Sequence, residues 1–151
     1  MILVDGNVLV HFRNRYSPQQ ATAQAALQLL HTRDGETIVT CAQTLYEAYV
    51  VWSRPRESRG LGLTAQQTLD EISRLGSQFA LQPALAKLYT RWLEITRRCA
   101  PLARHAHDLR YVAFMVARRI PRLLTFNDRR FREVTEVAAV NPNEAAGTPR
   151  P

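Results

Sequence analysis

Long apolar runs are missing from this 151-residue chain. No stretch approaches the roughly 20 apolar residues that a membrane-spanning helix needs. The opening run Ile2-Leu3-Val4 is cut off at once by Asp5, so it is too short for the apolar part of a secretory signal. A cytoplasmic protein that makes no membrane contact is therefore expected. Cysteine is scarce: Cys41 and Cys99 are the only two, each inside an apolar segment with no Cys-x-x-Cys or Cys/His spacing. They read as buried free thiols in a reducing compartment and leave a zinc site unsupported. Internal repeats are absent too. With 46% hydrophobic residues the chain can build one core of ordinary size.

Lysine is nearly missing as well. Of the 20 basic residues only Lys87 is a lysine, and the 13 acids leave a net charge of +7. Arginine suits bidentate phosphate recognition, although a GC-rich genome also favours it. Its distribution says more: eight arginines fall between Arg104 and Arg132, against only Asp108 and Asp128. A positive surface around a few carboxylates points to a polyanionic substrate with metal ions between the two; a merely solvated basic face is the plainer alternative.

What is present alternates between strand and helix patterns. Residues 2–4 read as a strand, and 7–12 as a short helix. Ser17-Pro18-Gln19-Gln20 reads as a helix start, with Ser17 as N-cap, Pro18 in the first position and Gln20 closing a capping box, on a helix that runs through His31. The β-branched run Thr37–Thr40 is a second strand, followed by a helix over Ala42–Ser53 that Arg54-Pro55 stops. Thr64 and Gln67 form another capping box, opening a helix with Leu69, Ile72 and Leu75 inward that Gly76 ends. Residues 79–81 are a short connector. Pro83 opens a long helix carrying Leu85, Leu88, Tyr89, Trp92, Ile95 and Cys99 on one face, with Pro101 as its stop. The helix over His105–Arg118 has Leu109, Val112, Ala113 and Val116 as its stripe, continued by Ile120. Leu123-Leu124-Thr125 is a third clear strand, then a turn carries Phe131, and residues 137–140 suit an edge strand. From Asn141 the composition turns to Pro, Asn, Gly and Ala. The expectation is one α/β domain over residues 1–141, a central parallel sheet of about four or five strands flanked by helices, with a disordered tail over 142–151.

In such a sheet the carboxyl ends of strands and the first turns of helices share one rim. Asp5 follows the first strand, Glu47 lies in the helix after the second, Asp108 opens the helix before the third, and Asn127-Asp128 follow that strand. Together they can form one acidic cluster. At ~4 Å two like charges repel by about 4 kcal/mol at an effective dielectric of 20, so a divalent cation would stabilise the cluster. Oxygen-only ligands suit Mg²⁺ or Mn²⁺, ions that promote attack of water on a phosphodiester. Each residue has a plainer alternative: Asp5 as a turn former, Glu47 as a surface residue, Asp108 as a complement to the helix dipole, Asn127 as an N-cap. His105 and His107 flank the same region and read as positioning or surface residues.

Four segments carry a family resemblance: Asp5-Gly6-Asn7 after the first strand, Thr44-Leu45-Tyr46-Glu47, His107-Asp108 opening a helix, and Leu124-Thr125-Phe126-Asn127-Asp128. Over residues 1–142 the chain resembles a PIN domain, and within that family the VapC ribonuclease toxins of bacterial toxin–antitoxin pairs. The insert from Trp52-Ser53-Arg54-Pro55 to Gly60-Leu61-Gly62-Leu63 is similar to one branch of those toxins. The resemblance implies an endoribonuclease dependent on Mg²⁺ or Mn²⁺, with Asp5, Glu47 and Asp108 as metal-binding acids, Asn7 holding the Asp5 turn, Thr125 orienting a carboxylate and His107 in support. It also implies an RNA substrate, a VapB-type antitoxin partner and a homodimer. Arg110, Arg129, Arg130 and Arg132 would bind RNA phosphates or antitoxin acids. The sequence departs from the pattern at two places. The family's fourth acid is Asn127 here, with Asp128 beside it as a substitute. Gly6 stands where a small Thr or Ala is more usual, which should loosen the turn and block nothing.

Two other readings compete. One is a PIN-like RNA- or partner-binding module without activity, motivated by Asn127. The other is a phosphatase or receiver with Asp5 as phosphoryl acceptor. The second lacks support, because position 7 is Asn where an Asp-x-Asp pattern would need an acid, and Lys87 lies inside a helix.

Overall fold

The computed structural model describes residues 1–99 and 105–149. Its centre is strand β1 (Ile2–Val4), three residues that are all buried. Strands β2 (Ile38–Cys41), β3 (Ala80–Gln82), β4 (Arg122–Leu124) and β5 (Ala138–Val140) complete one sheet in the order β3-β2-β1-β4-β5. Every neighbouring pair is parallel, with Leu3 level with Val39 on one side and Leu123 on the other. The expected parallel α/β sheet is therefore observed, with five strands.

A strand flanked on both sides and covered on both faces has no polar face to offer, which is why β1 reads as an unbroken apolar run. Successive side chains point to opposite faces. Ile2 and Val4 enter one core with residues of α1 (Gly6–Arg13), α2 (Gln20–Thr32), α3 (Ala42–Ser53) and α4 (Ala65–Gln78). Leu3 enters the other, with Ile95 of α5 (Leu88–Cys99) and the Leu109–Met115 stripe of α6 (Ala106–Arg118). Leu124 and Leu123 of β4 divide between the two cores in the same way.

The strand order reverses direction between β1 and β4. In open α/β sheets ligands bind at the carboxyl ends of strands beside such a switch point. Asp5 ends β1 and Thr125 ends β4, and the Asp5 N–H donates to Leu124 O at 3.0 Å across the gap. The topology thus brings two residues 120 positions apart in sequence to one point.

Several local expectations need correction. The capping box at Ser17 and Gln20 does not form, and α2 starts at Gln20 with Gln19 as an unaided cap. The Ser17 hydroxyl accepts locally from the Gln19 N–H at 3.1 Å and also meets His11 Nδ1, but the Gln20 amide donates to Phe12 O, so the reciprocal half of the box is lost. The Thr64–Gln67 box forms on both sides. Gly76 does not stop α4, because it lacks the left-handed φ that would turn the chain away. Leu69 of that helix is half exposed, while Thr68 and Leu75 face inward. Residues 80–82 are not a connector but edge strand β3, so the following helix begins only at Leu88 and leaves Leu85 and Tyr89 exposed. Its expected stop at Pro101, and Arg104, lie outside the described residues. Cys41 is buried, Cys99 half-buried, and both are free thiols. No helix among the described residues is long and apolar enough to cross a membrane.

The expected loose tail also differs. Asn141 accepts from the Asn143 N–H, Pro142 takes the first helical turn, and Pro142–Ala145 form the short helix α7, with Pro142, Asn143 and Ala145 buried. Ala145 and Ala146 join the α1–α4 core. The polar composition misleads because Asn141 and Asn143 spend their amides on each other and on the Phe126–Asp128 loop. Deleting residues 142–151 should therefore lower unfolding stability by roughly 1–3 kcal/mol from lost apolar burial. Thermal or denaturant unfolding reads this directly, and an unchanged midpoint would restore the loose-tail description.

Candidate functional site

The turn after β1 is held by a compact set of hydrogen bonds. Asp5 caps α1 by accepting from the Asn7 N–H. Its Oδ2 accepts from Asn7 Nδ2 at 2.7 Å and from the Thr125 hydroxyl at 2.6 Å. Asn7 Nδ2 also donates to Thr125 Oγ1 at 3.0 Å, and Asn7 Oδ1 accepts from the Phe126 N–H at 3.1 Å. One amide thus links the ends of β1 and β4. Thr125 Oγ1 further accepts from the Asn127 N–H at 3.0 Å, which shapes the following turn. Asn7 and Thr125 thus hold the Asp5 turn and fix its carboxylate.

Asp5 is only 7% exposed. Burial pushes its carboxyl up from 3.8 to about 6; the Thr125 and Asn7 hydrogen bonds oppose this, and the negative charges of Glu47 and Asp108 reinforce it. The sign matters for stability. The charged form is disfavoured in the fold, so Asp5 acts against stability. That penalty is absent below 3.8, grows up to about 6 and is fully present above it, at about 3 kcal/mol.

Glu47 reaches the same place from the middle of α3. Its Oε1 accepts from Gln43 Nε2 at 2.8 Å, and the same amide donates to His107 O at 3.1 Å, tying α3 to the start of α6. Its Oε2 accepts from the Tyr111 hydroxyl at 2.9 Å, and that hydroxyl accepts from the Gly6 N–H at 3.3 Å. Tyr111 is buried although, two positions after Leu109, it lies off the stripe of Leu109, Val112, Ala113 and Val116. Its phenol stays protonated, because burial and the charges of Asp5 and Glu47 raise its pKa well above the ordinary value. It can therefore act only as the donor to Glu47. Gly6 proves more than permissive. A Cβ there would lie 2.7 Å from Glu47 Oε2 and 2.9 Å from Glu47 Cβ. The departure to glycine is what lets Glu47 approach the Asp5 turn, and Thr44, whose hydroxyl donates to Val4 O at 2.9 Å, pins α3 at that height.

Asp108, in the first turn of α6, faces the same cleft. Burial raises its pKa, and Arg130 opposes this most strongly, followed by His105 and His107. Arg130 Nη1 lies 3.5 Å from Asp108 Oδ2. The two are close enough for an ion pair, but the oxygen receives no hydrogen bond in good geometry and is otherwise sealed from solvent. Asp5, Glu47 and Asp108 line one cleft of ≈ 740 Å³ with Asn127, His107, Arg110 and Arg130. Asp128 does not join them. Its carboxylate accepts from Asn141 Nδ2 at 2.7 Å and lines a neighbouring depression with Arg129, so it is placed away from the acids, while Asn127 lines their cleft. Arg132 is exposed and lines neither cavity. Three cleft residues went unread in the sequence: Arg54, His11 and Gln43. His11 lies one helical turn after Asn7 and Gln43 one turn before Glu47, and that i, i+4 spacing is the signal that would have found them.

Among the described residues no three His, Cys, Asp or Glu side chains stand close enough to close on one ion. Mg²⁺ does not ask for that: it commonly takes one or two carboxylates and keeps several waters. An all-oxygen donor set, an unsatisfied buried Asp108 Oδ2 and an Asp5 carboxyl pushed up by burial and further by its acidic neighbours fit a divalent cation held in this open manner.

Fold and cleft together define a class of protein, a parallel α/β domain with an acid-lined, arginine-rimmed cleft at the sheet's switch point. The model of the PIN domain matches residues 2–137, and the chain belongs to the PIN domain family. Among solved structures it is similar to VapBC2 from Rickettsia felis, crystallised bound to a DNA fragment from its promoter, with 18% identity, a TM-score of 0.69, and 93% of this chain and 98% of that one covered. FitAcB from Neisseria gonorrhoeae gives 19%, 0.67, 94% and 98%. VapC20 of Mycobacterium tuberculosis, a toxin that cleaves the sarcin-ricin loop, gives 17%, 0.58, 82% and 87%. Identities this low speak to the fold. No curated protein matches the chain in sequence.

Two outcomes follow from the site. In metal-free protein the Asp5 carboxyl should titrate near 6 by carbon-13 NMR, and Glu47→Gln should move it back toward the ordinary range; a midpoint near 4 in the parent protein would contradict the burial described. Tyr111→Phe leaves the Gly6 N–H and Glu47 Oε2 without their shared partner. It should lower unfolding stability by about 1–3 kcal/mol, against almost nothing if Tyr111 were simply core.

Proposed function

We propose that this chain is a divalent-cation-dependent endoribonuclease and the toxin member of a VapBC-type pair. The observation that carries the reading is the convergence of Asp5, Glu47 and Asp108 on one cleft whose other charged groups are Arg54, Arg110 and Arg130. Arginines on a cleft rim attract a phosphate backbone, while the acids repel it unless a cation lies between them. Mg²⁺ or Mn²⁺ is the ion proposed, with Asp5, Glu47 and Asp108 as its holders and Asn127 beside them; bound there, it would neutralise the acids, polarise a phosphodiester oxygen and acidify a water. Water adds to phosphorus, the bond to the leaving ribose oxygen breaks, and that oxygen takes up a proton. Tyr111 and Gln43 fix the two oxygens of Glu47, and Asn7 and Thr125 fix Asp5, so neither acid must reorganise when charge changes in the cleft. Arg130, released from Asp108 once a cation neutralises that acid, becomes available to an RNA phosphate.

Support from relatives is of two kinds. VapC20 is described as cleaving the sarcin-ricin loop, and VapBC2 was crystallised with promoter DNA. An RNA substrate, a VapB-type antitoxin, a homodimer and a cytoplasmic setting are the corresponding expectations for this chain. A binding module without activity remains the second reading, favoured by the amide at position 127.

Asp5→Asn, Glu47→Gln and Asp108→Asn should each reduce RNA cleavage at least a hundredfold while circular dichroism stays that of the parent fold. Calorimetric titration with Mn²⁺ separates the two readings: a nuclease binds the ion with an affinity that depends on Asp5 and weakens below pH 6, whereas a module without activity shows no Asp5-dependent binding. Wild-type cleavage by the triple variant, with contaminating nuclease excluded, would sink the site assignment.

A further inference from the structure

Helix α1 begins at the acid cleft and ends eight residues later, about 12 Å away at 1.5 Å per residue. At that end lies a second cleft of ≈ 630 Å³. Trp52 and Leu63 form part of its apolar lining; Arg13, Arg15 and Tyr16 follow from the end of α1, and Arg56 stands opposite. The wall that carries Arg56 is the insert after α3, and it is built rigidly. The N–H groups of Leu61, Gly62 and Leu63 donate to Val51 O, Arg54 O and Trp52 O at 3.2, 2.9 and 3.0 Å. A Cβ at Gly60 would fall 1.9 Å from Arg54 O, and Gly62 has a φ of +64°. The backbone can fold back on itself this tightly only with glycine at both positions.

The charges in this cleft are unbalanced. Arg13 pairs with Glu71, which Arg74 also holds. Among the described residues no carboxylate lies within ion-pair distance of Arg15 or Arg56; Arg56 Nε donates to Leu61 O, and the Arg15 guanidinium lies 4.8 Å over the Tyr16 ring. Tyr16 is 67% exposed. Arg15 Nη2 also donates to the Tyr16 hydroxyl at 2.7 Å, so guanidinium and ring form one exposed unit, with no role in the core, beside a second guanidinium that no carboxylate among the described residues balances. Base stacking on aromatic rings with arginine along the backbone is how single-stranded nucleic acid is held without sequence readout.

We propose that this cleft is a second RNA subsite, in which Arg15 and Arg56 bind a phosphate of the same strand beyond the cleaved step and Tyr16 stacks one of its bases. The inference rests on the ribonuclease reading for its substrate, but its binding term is separable from cleavage. Arg54 lines the acid cleft and Arg56 the second one, so the strand would track along α1 and the end of α3 from one to the other.

The test uses the full chain carrying Asp108→Asn and a fluorescent single-stranded RNA of about ten nucleotides, read by anisotropy as salt is raised. Adding Arg15→Glu with Arg56→Glu should weaken binding about tenfold or more and flatten the salt dependence by about two contacts. Tyr16→Ala should weaken it about fivefold or more, and Tyr16→Phe should restore it. In the cleavage-competent chain the same changes should raise KM for the ten-nucleotide strand and leave turnover of a dinucleotide unchanged. RNA affinity unaffected by the double reversal would overturn the proposal. So would a double variant that keeps its RNA affinity and instead escapes inhibition by the antitoxin, which would assign the cleft to a protein partner. If the parent chain cuts no RNA yet binds it through Arg15 and Arg56, the subsite stands and the nuclease reading is what fails.

Discussion

Asp5 places a carboxylate at the end of the strand that is most deeply enclosed, and the polar structure around it follows from that one constraint. A charge there loses its water, and burial raises its pKa to about 6. Several nearby donors are spent on it or on its neighbours. Asn7 and Thr125 close on its Oδ2, and the backbone of the β4 turn closes on Asn7 and Thr125 in turn. The same turn is narrow enough that only glycine fits at position 6, since Glu47 occupies the space a side chain would take. Tyr111 then completes the set, with one hydroxyl that serves the Gly6 N–H and the Glu47 carboxylate together.

The apolar structure is arranged to make this possible. β1 and β4 are neighbours with the reversal of strand order between them, so no loop crosses over their carboxyl ends and the polar groups there stay open to a ligand. Both faces of the sheet are sealed by helices whose first turns point back to the same rim. α3 and α6 each deliver one acid there, and Gln43 ties them together through Glu47 and the His107 carbonyl. The acid cleft is a place where the fold tolerates repulsion among like charges, as sites that need strained or destabilised groups commonly do. Arg130 relieves part of that repulsion at Asp108 while standing outside good hydrogen-bond geometry, which leaves it exchangeable.

Legibility in the sequence was uneven, for physical reasons. Strand β1 and the capping box at Thr64 were readable because each depends on a pattern of a few consecutive residues. Tyr111 was not, since nothing local tells what a tyrosine hydroxyl off the apolar stripe of its helix will meet. Ser17 misled because the Gln20 amide that would close its box turns instead to Phe12 O. The tail misled because amides that look solvated pair with one another and with the loop after β4. The choice between Asn127 and Asp128 could not be read at all. Adjacent residues in a tight turn point in different directions, and the direction belongs to the turn.

The sequence by itself determined the class of fold and the parallel sheet, and it singled out Asp5, Glu47 and Asp108 as candidates. Alternating periodicities and a carboxylate at a strand end are local facts, and the packing of strands and helices leaves few ways to assemble them. Only the tertiary structure decided how those acids are held: the Tyr111 hydroxyl 64 residues from Glu47, the glycine that makes room there, and the choice of Asp5 as the partner of the Thr125 hydroxyl 120 residues away. It also decided that Asp128 turns aside and that Arg15, Tyr16 and Arg56 share a cleft. The reason is common to all of these. A hydrogen bond needs two groups within about 3 Å in the right orientation, and across such separations only the folded chain sets that distance.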